Sequence, residues 1–203
     1  MPIRPGEDWG EARRLPSDGL VVATDAEATE IVTAARRAGS PIPTLGLVGG
    51  DLCRTVGGRG DRTRLDHADA VTLRCDVGSA LLDGRLVWFV SHLVLRRSWL
   101  RGPIVAVMNA GHLGRWELAP RAHPGDGRLD IVEADLGLID RLKAWRRLPA
   151  GAHVPHPGIS TRRVAAAQFD FTRPMRVDID GVGSGTVQHA SIRVEPDALD
   201  VVV

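Results

Sequence analysis

Residues 175–186 read MRVDIDGVGSGT, and the reading of this stretch decides the fold. Apolar Met175, Val177 and Ile179 alternate with charged residues, which is the period-two pattern of a strand with one buried face. Asp180-Gly181 follows, one of the strongest two-residue turn signals between alternating apolar runs. Asp178 and Asp180 lie two residues apart, so on a continuing strand both carboxylates point the same way. Two readings are open: the end of an acidic hairpin, or a placed general base. The local pattern by itself favours the hairpin.

Outward from this hairpin the same grammar repeats. From Ala70 onward come AVTLRCDV, RLVWFVSHLVL, PIVAVMN, RWELAP, RLDIVEA, RVAAAQFDF, ASIRVEP and ALDVVV, punctuated by the turns LDGR, GDGR and VEPDAL. Many short strands at such spacing predict a β-sandwich or barrel-like sheet. One helix interrupts them, in DLGLIDRLKAWRRLPAG, where Leu136, Ile139, Leu142, Trp145 and Leu148 recur at helical spacing and Arg146 and Arg147 fall in the last turn. That apolar stripe predicts packing on the sheet rather than a lipid anchor.

The N-terminal part differs. Residues 1–19 are polar and broken by proline and glycine, a tail or extended lead-in. LVVA (20–23) reads as a buried strand, then a helix runs from Asp25 to Ala38, with Thr24 and Glu27 forming a capping box and Gly39 with Pro41 ending it. TLGLVGG (44–50) reads as a second strand ending on paired glycines, and Asp51 as the cap of a short helix, LCRTV. This is one β-α-β unit whose glycine turn opens a helix, the place where an α/β sheet usually meets a phosphate. The polar segment GRGDRTRLDHAD marks the boundary, giving a lead-in at 1–19, an α/β segment at 20–60 and a β-rich domain at 61–203.

Composition removes several classes of function. The 203 residues carry a net charge of +1, so no global field draws in nucleic acid or an acidic membrane. Lys143 is the only lysine and no Gly-x-x-x-x-Gly-Lys-Ser/Thr pattern occurs, which removes the P-loop reading. Cys53 and Cys75 have neither metal nor redox spacing, and no apolar run reaches membrane-spanning length. A reducing cytoplasm, with at most peripheral membrane contact, is the expectation. GVGSGT is not a dinucleotide loop, because it precedes a strand, and no serine sits in a nucleophile elbow. VLRRSWLRG mixes Arg96, Arg97 and Arg101 with Trp99 and could touch phosphates, although a solvated loop is the simpler reading.

The order of motifs from about residue 104 to 203 resembles the C-terminal half of the diacylglycerol kinase and bacterial lipid kinase family. VAVMNAGHLGRWELAPRAHPGDGRLDIVEADL, the helix, LPAGAHVPHPGI, RPMRVDIDG and SIRVEPDALDVVV fall in family sequence, and no single piece is specific without the others. The resemblance implies an α+β fold: a small α/β remnant of a nucleotide-binding domain, then a mostly antiparallel β-sandwich with one packed helix. It implies Asp180 as general base toward a lipid hydroxyl, in a motif where Val182 replaces the usual glutamate. It also implies nucleotide contacts at Gly49, Gly50, Asp51 and Asp25, a magnesium ligand at Asp126, and a substrate cleft touched by Asn109 and His153, with Mg²⁺ and ATP as cofactors.

The departures lie on the nucleotide side. ATDAEATE (23–30) stands where the family reads Gly-Gly-Asp-Gly-Thr followed by Asn-Glu; it keeps Asp25 and Glu30 but replaces every glycine, and Asp25 reads as a helix cap. The family's earlier strand-helix-strand is missing, which leaves a homodimer or a partner chain to supply it. The expectation is a lipid-kinase-like protein with a degenerate ATP site that binds a lipid-like molecule or a partner. The competing expectation is an active ATP-dependent lipid kinase using Asp180.

Overall fold

The computed structural model describes residues 9–151 and 156–203. The Asp180-Gly181 turn is a hairpin: strand β12 (Ala166–Ile179) turns into β13 (Val182–Val202), with Ile179 opposite Val182. Asp180 and Gly181 have φ of 46° and 83°, and the other non-glycine residues at positive φ among the described residues, Asp83 and Asp197, are also aspartates at turns or bulges. Aspartate tolerates this region because its short side chain bonds locally. Because the strand ends at Ile179, Asp178 and Asp180 diverge: Asp178 pairs with Arg96 at 2.6 Å, while Asp180 turns inward.

β13 organises the sheet. It pairs antiparallel with β12 and with β4 (Val71–Leu82), and its last residues pair in parallel with β3 (Leu45–Leu47), Val201 opposite Leu45. β2 (Leu20–Val22) continues this parallel corner beside β3. On the other side β12 leads through β6 (His92–Arg96), β7 (Ile104–Met108) and β10 (Leu129–Ala134) to the edge strand β11 (Ile159–Val164), while β5 (Arg85–Phe89) returns on β4 and the short strands β8 (His112–Leu113) and β9 (Trp116–Glu117) pair apart from the sheet. The α/β corner and the β-rich part therefore share one sheet. The first strand, β1 (Glu11–Ala12), lies on the far edge of β4, so the described part of the lead-in is paired chain.

One face of β4, β5, β6, β7, β10, β12 and β13 encloses a common core that includes Phe89, Leu93, Ile131, Met175, Val177 and Ile192. Strands this far apart in the sheet share a core only if the sheet curls over it, which gives the sandwich. A second core, around Val32, Leu45, Leu52 and Val201, lies beneath helix α1 (Asp25–Ala38). The Thr24 hydroxyl accepts from Glu27 N, and the Glu27 carboxylate accepts from Ala23 N, one residue before the partner of the predicted capping box, while Gly39 at φ 63° closes the helix.

Helix α3 (Leu138–Arg147) departs from its predicted packing. Leu136, Trp145 and Leu148 face inward, but Ile139 and Leu142 are exposed. The cause is Arg141, which is fully buried and donates to the carbonyls of Leu136, Trp99 and Gly102. With a guanidinium holding the inward position, the helix is rotated and its two central apolar residues turn to solvent.

Candidate functional site

Two carboxylates meet where α1 crosses the corner between β5 and β6. That corner leaves the backbone N–H groups of Val90, Ser91 and His92 pointing at one spot, and the hairpin delivers Asp180 to it. Asp180 Oδ2 accepts from Val90 N at 2.8 Å, and Oδ1 accepts from Ser91 N at 3.0 Å and His92 N at 2.7 Å. The Thr29 hydroxyl, reaching over from α1, also donates to Oδ2. Successive N–H groups of this kind form an anion nest. Here the anion is part of the chain.

Asp25 lies beside it and is held in a related way. Its Oδ2 accepts from Asp51 N at 2.6 Å and its Oδ1 from Leu52 N at 3.1 Å, in the first turn of α2 (Gly50–Thr55). This corrects two expectations. Asp25 caps α2 rather than its own helix, whose cap is Thr24, and Asp51 lies within α2 instead of capping it. The Asp51 carboxylate instead accepts from Gly114 N at 2.8 Å and lies 3.8 Å from His92 Nδ1. Asp25, Asp51, Asp180 and His92 thus form one buried polar cluster.

Burial sets its electrostatics. Desolvation pushes Asp180 up to about 6 against the pull of Thr29 and the three N–H groups. Asp25 also rises to about 6, from desolvation first and the neighbouring Asp180 charge second. Burial pushes His92 below the usual imidazole value, opposed by Asp51, Asp25 and Asp178, which favours its neutral form. A cleft of about 180 Å³ opens beside the cluster between α1 and the β12–β13 hairpin, lined by Thr29, Glu30, Arg37, Trp88 and Ser184 among others.

The paired glycines serve this internal arrangement. A Cβ on Gly50, whose φ is 92°, would lie 2.5 Å from Asp25 Oδ1, and one on Gly49 would lie 2.3 Å from the Ala23 carbonyl oxygen. A phosphate at the start of α2 would need the N–H groups that Asp25 already occupies. Gly49, Gly50, Asp51 and Asp25 therefore come together, with the Asp25 carboxylate on the N–H groups that open α2.

Asp126 sits elsewhere. Its carboxylate pairs with the Arg163 guanidinium, which also lies 3.3 Å from Asp130, and accepts from Arg128 N at 3.0 Å. Among the described residues no three His, Cys, Asp or Glu side chains are grouped so that they could hold a metal ion. The Arg163 guanidinium lies between the two carboxylates, so the expected ligand Asp126 is held in an ion pair. Asn109, expected at a substrate cleft, is buried, and its Nδ2 donates to the carbonyls of Asp76 and Val90, each at 2.8 Å. It thereby fixes the strand end that carries the N–H nest. His153 lies outside the described residues.

The sequence reading missed Thr29, His92 and Arg163. Thr29 directly precedes Glu30, where the family loop carries asparagine, and that position was its signal. His92 ends the quoted WFVSH, but only the fold brings it to Asp51.

The fold and the site define an α+β protein in which a curled β-sandwich presents an acidic cluster to a small α/β corner. Residues 90–203 match the family described as the YegS C-terminal NAD kinase β-sandwich-like domain, and the chain belongs to that family. Similar solved structures come from Bacillus anthracis str. Sterne and are described as diacylglycerol kinases, two of them provisionally. One aligns with a TM-score of 0.68 at 18% identity over 91% of this chain and 77% of its own. The others give 0.65 at 16%, covering 91% and 75%, and 0.69 at 15%, covering 91% and 77%. No protein among those of curated function matches the sequence. No helix among the described residues is long and apolar enough to cross a membrane, and Cys53 and Cys75 are free and buried.

Proposed function

We propose that this is a lipid-kinase-like protein whose ATP site is degenerate, and that it binds a lipid-like molecule without robust kinase activity of its own. The observation that carries this reading is the saturation of Asp180: three N–H groups and the Thr29 hydroxyl use both carboxylate oxygens. A general base needs a free lone pair within reach of the proton it takes. The occupation of α2's N–H groups by Asp25 supports the same reading from the nucleotide side.

One observation favours the competing reading of an active lipid kinase. Asp180 is pushed up to about 6, close to the pH at which a base works best, and a cleft adjoins it. Transfer of labelled γ-phosphate from Mg-ATP to a mixed lipid extract separates the two. The proposal expects no labelled lipid and no thermal shift with Mg-ATP. Labelled lipid that disappears in Asp180→Ala, with Thr29→Ala retaining or raising the rate, would overturn it.

A further inference from the structure

We propose that the outer face of α3, with the adjoining loop from Arg97 to Gly102, docks on an anionic lipid bilayer. The inference is independent of whether the Asp180 cluster catalyses anything. It begins with the rotation of the helix. Leu138, Ile139 and Leu142 are 50%, 70% and 47% exposed, and Leu100 on the neighbouring loop is 50% exposed. Positions 138, 139 and 142 form one stripe along a helix. Arg141 ties this helix to the loop through the Trp99 and Gly102 carbonyls, so both belong to a single surface. Its burial fixes the outward direction of the stripe.

Charge around the stripe selects the occupant. Arg97, Arg101, Arg146 and Arg147 are exposed and have no ion-pair or side-chain hydrogen-bond partner among the described residues. Of the nearby acids, Asp140 is already paired with Lys143. In a chain whose net charge is +1, this is a local excess of positive charge. An apolar stripe bordered by arginines is the composition of a helix lying in the headgroup layer, its leucines among acyl chains and its cations at the phosphates. Nucleic acid would leave the three leucines and the isoleucine without a purpose. A symmetric contact between two copies would press the same arginines together.

The test is co-sedimentation of the full chain with vesicles of phosphatidylcholine alone and of equimolar phosphatidylcholine and phosphatidylglycerol. Binding is expected only to the anionic vesicles, weakening as salt is raised. Each arginine near such a surface contributes roughly fivefold in affinity, so Arg146→Gln with Arg147→Gln should weaken binding by roughly twenty-five-fold. Ile139→Asp with Leu142→Asp should abolish it. All four positions are exposed, and circular dichroism confirms that the variants remain folded. Failure of the wild-type chain to sediment, or wild-type binding by both pairs of variants, would overturn the proposal. A dimer in sedimentation velocity that Ile139→Asp disperses, without vesicle binding, would also overturn it and assign the face to self-association.

Discussion

On the β-rich side, the β5–β6 corner surrounds Asp180 with three backbone N–H groups; on the α/β side, α2 offers two N–H groups and Asp25 takes both. The first arrangement is built into strand ends that have the large core behind them. The second depends on a six-residue helix and two glycines that a Cβ would displace. On the sandwich side the donors are backed by the large core, and on the α/β side they are taken by a carboxylate from the neighbouring helix.

The largest effect tests how far the two sides are one body. Phe89 is fully buried in the sandwich core, its ring against Gly78, and Phe89→Ala should cost about 4 kcal/mol in urea denaturation. Because β3 and β13 share a ladder, unfolding should remain a single transition followed alike by tryptophan fluorescence and circular dichroism. Two separate transitions would show that the α/β corner folds on its own. Asp180→Ala comes next: it strands three buried N–H groups and should cost roughly 3 kcal/mol, which a solvent-exposed catalytic base would not.

The pH dependence sharpens the contrast between this cluster and ordinary surface ion pairs. Asp25 and Asp180 rise from 3.8 to about 6 on folding, so between those values the folded chain binds more protons than the unfolded one. Their penalty is absent below the unfolded value and complete above the folded one, so their contribution makes stability fall as pH rises from about 4 to about 6 and level off above. Asp25→Asn should flatten part of that slope in melting temperatures taken across the range. The smallest effect belongs to the Arg163 pair: Asp126→Asn should change stability by less than about 1 kcal/mol, with the same melting temperature in magnesium and in EDTA.

Much of this was legible in the sequence, where short periodicities met clear turn chemistry. Asp-Gly pairs located the hairpins, Thr24 and Glu27 located the start of α1, and the ordered motifs located the family. The site was less legible, because its chemistry depends on which lone pairs remain free. Nothing in GGDL says that Asp25 will reach the N–H groups of Asp51 and Leu52, and nothing in GDGRLD says that Arg163 will lie against Asp126. The α3 stripe misled for a related reason: helical periodicity counts apolar residues, and a buried arginine answered by three carbonyls outcompeted two of them. Net charge likewise averaged away the local excess of arginine near Arg97 and Arg147.

β13 is one continuous strand of 21 residues, and its final pairs, Val201 with Leu45 and Val202 with Gly46, close the parallel corner. During synthesis, neither the corner nor the inner ladder with β4 can be completed before those last residues leave the ribosome. Contacts of such sequence separation form late and slowly. Until then β3 and β4 lack the neighbour that covers them, and a nascent chain in this state exposes open strand edges to chaperones and to other chains. The strand that unites the mature sheet therefore ties the folding of the α/β corner to that of the sandwich.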